Sequence, residues 1–151
     1  DQHMLSTLPL SGRLSGTWVV EGAQDQGFVI AFQELADQLQ PYVFLSWYTF
    51  DQDGKLLWLT GGKSFEICTN QVDIPIEYVT DGEFLGRKSA QRSTIGSAKL
   101  TAVNCNDMRI EYDLSAIGLG MGVRRLQRIF SVETQGYACR DPQARIETIN
   151  D

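Results

Sequence analysis

The sequence predicts an all-β protein: about eight antiparallel strands in series that close into an up-and-down barrel, followed by a short C-terminal tail. Three observations carry this expectation. Runs of β-branched and aromatic residues recur roughly every ten to fifteen residues between Gly, Asp and Asn turns. No long segment repeats apolar residues at helical spacing. An open sheet of about eight strands would twist strongly and leave exposed edges, and short sequential hairpins favour closing it into a barrel over a sandwich.

The first strand is Gly16 to Glu21 and the second Gly27 to Leu35, joined by a polar loop. Phe32 to Gln40 sets apolar residues at 32, 35, 36 and 39, so a turn or two of helix competes with the end of the second strand until Pro41 stops it. The third strand, PYVFLSWYTF from Pro41 to Phe50, is apolar on both faces, so both are covered or one looks into a cavity. Trp47 and Tyr48 must point to opposite sides of it. Asp51-Gln52-Asp53-Gly54 is a tight hairpin whose Gly supplies a positive φ. The fourth strand runs from Lys55 to Thr60, ends at Gly61-Gly62 and resumes from Ser64 to Cys68.

The fifth strand, Gln71 to Val79, contains Pro75, which has no N–H for a ladder and therefore marks an edge or a bulge. After a loop through Gly82, Gly86 and Arg92, the sixth runs from Thr94 to Val103. The seventh, Met108 to Leu114, sets Met108, Ile110, Tyr112 and Leu114 against Arg109, Glu111 and Asp113. Glycines 118, 120 and 122 lead to the last strand, Val123 to Val132. The expected organisation is an N-terminal extension over 1–14, one barrel domain over 15–132 and a tail over 133–151 pinned to the barrel.

The chain has 151 residues, 42% hydrophobic and 21% charged, with a net charge of −6. That length suits one domain. No apolar run approaches the ~20 residues of a spanning helix. The negative field disfavours nucleic acid, and the one basic cluster, Arg87 to Arg92, reads as a solvated loop. No leader with a charged start and apolar centre opens the chain at Asp1, so either the protein is not exported or a segment has been removed ahead of it.

Reactive chemistry is scarce. The single histidine, His3, lies in a terminus, so no Ser-His or Cys-His pair is held rigid, and no catalytic residue is expected. Glu34, Glu66, Asp73, Glu77 and Glu111 read as solvent faces of strands rather than a hydrolytic carboxylate pair. Asp51 and Asp53 open with calcium-loop spacing, but the later ligands are missing. The glycines at 118, 120 and 122 lack the βαβ setting of a dinucleotide loop. Cys68, Cys105 and Cys139 follow no zinc spacing, so no metal and no cofactor are expected. With Cys105 in a turn and Cys139 just past the last strand, a disulfide between them would pin the tail and stabilise the fold by about 3–4 kcal/mol. Cys68 is then a free thiol, buried as a small apolar residue.

Gly16-Thr17-Trp18 in the first strand and Arg124-Arg125-Leu126-Gln127-Arg128 in the last resemble the lipocalin and avidin-like barrels grouped as calycins. The resemblance implies that Trp18 packs across one barrel end against Arg128, with Arg125 the next choice. From about Ser15 to Cys139, the runs GTW, DQGF, WYTFDQDGKLLWLTG, GEF, NCNDMRIEYDL and GLGMGVRRLQRI are also similar to a domain of secreted or lipid-anchored bacterial proteins. This chain departs from that pattern in having Phe50 for a Tyr and no Pro beside Trp58. That likeness implies fold and export, with no chemistry to transfer.

The functional expectation is an exported, non-enzymatic binding module, periplasmic, secreted or lipid-anchored at the outer membrane. Its lumen would take a small apolar or amphipathic ligand against Phe28, Trp47 and Trp58. The alternative is a packed barrel that binds an envelope protein, as an inhibitor or assembly module, through outward aromatics and the loop from Gly82 to Ser93.

Overall fold

The computed structural model describes residues 8–34, 40–131 and 138–141. Eight strands close in chain order: β1 (Gly16–Val20), β2 (Ala23–Gln33), β3 (Tyr42–Phe50), β4 (Leu56–Ser64), β5 (Gln71–Thr80), β6 (Gln91–Asn104), β7 (Asp107–Leu114) and β8 (Gly120–Ser131). Each is antiparallel to the next, and β8 pairs back onto β1. The all-β, up-and-down barrel expected from the sequence is therefore the fold. Among the described residues, three short 3-10 turns accompany the strands, at Gly12–Leu14, Phe84–Gly86 and Ser115–Ile117.

Strand boundaries differ from the sequence reading where glycine or proline was the guide. β4 does not stop at Gly61-Gly62 but runs through both to Ser64. Ile74 and Ile76 occupy the space a Cβ at Gly61 would need, and the Tyr42 ring lies over Gly62. These glycines admit neighbouring side chains rather than ending the strand. Around Pro75 the ladder thins: β4 meets β5 only from Leu59 to Gly61, opposite Tyr78 to Ile76. A register shift on the β6 side follows between Ile76 and Glu77, so Pro75 adjoins a bulge. Of the helical alternative at 32–40, Phe32 and Gln33 belong to β2, and 35–39 lie outside the described residues.

Alternation puts one apolar residue in two inside. Phe28, Ile30, Leu45, Leu59, Ile74, Ile76, Leu100, Ile110 and Leu126 are essentially inaccessible and fill the barrel through its middle. An eight-stranded barrel is just wide enough for such filling. The core also begins before β1, because Leu8, Leu10 and Leu14 are buried. Leu10 N donates to the Thr69 carbonyl at 2.7 Å, tying this segment to the β4–β5 connection. Residues 8–14 therefore seal one end of the barrel.

Candidate functional site

At the sealed end, Trp18 is completely buried and its Nε1 donates to the Leu14 carbonyl at 3.0 Å. The Arg128 guanidinium lies 5.4 Å from the Trp18 ring centroid, within cation–π range. A register shift between Thr17 and Trp18 brings the two residues opposite one another. Arg128 Nη1 also donates to the carbonyls of Arg13 at 2.7 Å and Ser15 at 3.4 Å, and its Nε to Asn106 Oδ1 at 3.3 Å. One side chain thus links β8 to the first 3-10 turn and to the β6–β7 turn. Arg125, the other arginine considered, is outside the barrel: it pairs with Asp107 at 2.9 Å and Glu21 at 3.8 Å. The hydrogen bond to Asp107, then the charges of Asp107 and Glu21, hold its pKa above the ordinary arginine value.

The same end carries the disulfide between Cys105 and Cys139. Cys105 N donates to Asp141 Oδ1 at 2.7 Å, which gives the tail a second tie. Cys68 is a correction. It is exposed, in the connection after β4, and has a positive φ of 67°. The expected strand from 64 to 68 does not form, so nothing turns the thiol inward.

The opposite end is a mouth. A cup of about 210 Å³ is lined by Trp47, Phe50, Tyr112, Val20, Ile110, Leu114 and Leu119, with Gln26, Thr49 and Arg124 as its polar members. Trp47 is held in place from two sides, by Phe28 at 4.7 Å between ring centroids and by Tyr112 edge-on at 5.8 Å. Thr49 Oγ1 donates to Gln26 Oε1 at 2.5 Å, which leaves the Gln26 amide NH₂ as a donor. Arg124 is exposed, and its Nη2 donates to the Glu21 carbonyl at 2.8 Å. The cup therefore has an aromatic wall, a hydroxyl–amide pair and a cation.

A second cup, also about 210 Å³, is lined by Asp51, Leu57, Tyr78, Ile117 and Leu119. Leu119 belongs to both, so the turn after β7 divides the mouth. Gly118 and Gly120 flank Leu119 at φ of 79° and 75°, a conformation that only glycine adopts freely. The Gln52 side chain donates to the Gly118 carbonyl, and Ser115 N donates to Asp113 Oδ1 at 3.0 Å. Hydrogen bonds from the Ser115 side chain and backbone hold the Asp113 carboxyl below the usual Asp value.

Of the three predicted lining residues, Trp47 lines the cup and Phe28 lies fully buried against it. Trp58 is corrected: it stands opposite Tyr48 in the β3–β4 register, on the outer face, and is 57% exposed. Gln26, Thr49, Tyr112, Arg124 and Leu119 were not singled out as a site. The alternation of β7 marks Tyr112 as inward-facing, but nothing local marks the others.

Outside, two faces differ. On β2–β4 the neighbouring positions run Gly27, Tyr48, Trp58; then Val29, Ser46, Thr60; then Ala31, Phe44, Gly62, with no formal charge. On β6–β8 they run Lys99, Glu111, Val123 and Thr101, Arg109, Arg125. A broad surface groove of about 540 Å³ crosses that second face and is spanned by the Lys99–Glu111 ion pair at 3.5 Å.

Among the described residues, no three His, Cys, Asp or Glu side chains are grouped to hold a metal. Asp51 spends its carboxylate on the N–H groups of Asp53 and Lys55, both at 2.9 Å, within its own turn. Glu34 accepts from Gly12 N, and Glu77 and Glu111 pair with Arg92 and Lys99. Compared with known proteins, the chain matches no family model, no curated protein and no solved structure. Its class is thus defined by its own geometry. It is a closed eight-stranded antiparallel barrel, consistent with a calycin-like fold, with one end plugged and the other cupped.

Proposed function

We propose that the protein is a non-enzymatic binding module of the bacterial envelope that holds a small amphipathic molecule in the cup at its mouth. The observation that carries this reading is the composition of the cup: Trp47 and Tyr112 on one wall, Gln26, Thr49 and Arg124 around it. A few polar groups on an apolar, aromatic wall is the usual make-up of a small-molecule site. The cup is smaller than the ~300–1,000 Å³ of drug-sized pockets, and the barrel beneath is filled, so the ligand is short. Arg124 favours an anionic head, such as a carboxylate. Export is supported by the disulfide, which persists in oxidising compartments. No helix among the described residues is long and apolar enough to cross a membrane, and a lipid anchor is compatible with this reading.

The test is a calorimetric titration of the protein with indole-3-acetate and octanoate. Saturable binding, weakened at least fivefold in Arg124→Gln and weaker for the uncharged amide analogues, is the expected result. No saturable binding, together with bare protein in native mass spectra after gentle purification from the envelope fraction, would overturn it. Counting free thiols on that sample checks export: one thiol of three is expected. The uncharged aromatic surface on β2–β4 favours a second reading, a protein-interaction module.

A further inference from the structure

Val29, Phe44, Tyr48 and Trp58 form a continuous exposed surface across three paired strands. Leu56, 86% exposed, extends it toward the mouth, and Tyr42 toward the sealed end. The exposed parts of these six side chains amount to roughly 600 Å², taking about 150–250 Å² for each full aromatic side chain. A monomer's largest apolar patch is about 300–600 Å², and a stable interface takes about 600–1,000 Å² from each partner. The surface is thus large enough to be an interface.

We infer that this face joins two copies of the chain in a two-fold symmetric dimer, with Phe44, Tyr48 and Trp58 at its centre. The proposal rests on the protein-interaction reading of this face and is independent of what the mouth binds.

Charge selects the partner. Each copy carries a net charge of −6, which opposes association of two like molecules wherever charged surfaces meet. On β2–β4 the nine central positions are uncharged, so two copies can meet there without burying like charges. The β6–β8 face offers no such approach, with Lys99, Arg109, Glu111 and Arg125 side by side. A strongly charged partner would find no counter-charge on the aromatic face, whereas a second copy presents the same neutral surface. Two-fold symmetry needs only one self-complementary patch, and such dimers are the commonest oligomers. The Glu77–Arg92 ion pair at 3.3 Å sits beside Thr60 and supplies a polar rim.

Sedimentation velocity of the full chain tests the proposal. The expected result is a reversible dimer with a Kd on the order of 1–100 µM, within reach of an interface of this size. Phe44→Lys with Trp58→Lys should weaken association at least tenfold and leave the circular dichroism spectrum unchanged. Should that variant fail to fold, acrylamide quenching of the native protein decides. Trp18 and Trp47 are buried, so Trp58 dominates quencher access, and that access should fall as concentration rises. A native protein that stays monomeric at several hundred micromolar overturns the proposal. With Trp58 open to acrylamide, that result points to a different protein as partner. With Trp58 protected at every concentration, it points to a segment of the chain itself. A monomer that still binds ligands in its mouth loses this proposal and keeps the previous one.

Discussion

At the plugged end the inward column stops at Trp18, whose indole is covered by Leu14 and Arg128; at the mouth it stops at Trp47, whose indole faces a cup. Both tryptophans alternate inward, from β1 and β3 on either side of β2, and both have an arginine of β8 near them. The difference lies in what the polar groups do. Arg128 donates to two backbone carbonyls and to Asn106, so its guanidinium is committed to the fold. Arg124 gives one hydrogen bond to Glu21 and stays exposed beside an aromatic wall. Similar residues are thus committed to the fold at one end and, on the proposed function, left to meet a ligand at the other, according to how many protein partners the chain supplies.

Trp18→Ala should be the most damaging change. It empties a fully buried site and should cost about 3–5 kcal/mol in denaturant unfolding. Trp47→Ala, which already borders a cavity, should cost less while abolishing calorimetric binding of indole-3-acetate. Equal losses of stability at the two positions would break the comparison. Next in size is Cys105→Ser, which reopens the loop closed by a bridge of sequence separation 34 and should cost about 3–4 kcal/mol by the chain-entropy model. The melting temperature should fall without any change in ligand affinity.

Leu119→Ala should shift stability by less than ~1 kcal/mol, since its site already borders two voids. It should join the two cups, so affinity for decanoate should rise relative to octanoate. An unchanged chain-length preference would remove Leu119 as the divider. The smallest effect belongs to Asp113. Its folded pKa is depressed, so its contribution is complete at neutral pH and is lost as pH falls through that lowered value. Protection of the Ser115 amide from hydrogen exchange should decline in acid below the ordinary Asp range of ~3.9.

The barrel was legible because alternation and turn chemistry are local. Met108 to Leu114 shows its inward face in seven consecutive residues. The Cys105–Cys139 pair could be singled out because each lies at a recognisable place, a turn and the tail, whereas Arg128 was implied only by the resemblance to calycin barrels. Trp58 was misplaced because its face depends on register. The turn from Asp51 to Lys55 sets it opposite Tyr48 rather than Trp47, and a shift of one residue would reverse its direction. The division of the mouth was invisible, since it depends on where a glycine-rich turn folds in three dimensions and on a contact from Gln52, 66 residues away.

Binding at the mouth, rather than at the plugged end, is tested most directly by backbone amide spectra of ¹⁵N-labelled protein titrated with indole-3-acetate. Saturable shifts should concentrate at Gln26, Trp47, Thr49, Tyr112 and Arg124, with Trp18, Cys105 and Arg128 unmoved. Shifts centred on the sealed end, or none at millimolar ligand, would contradict it.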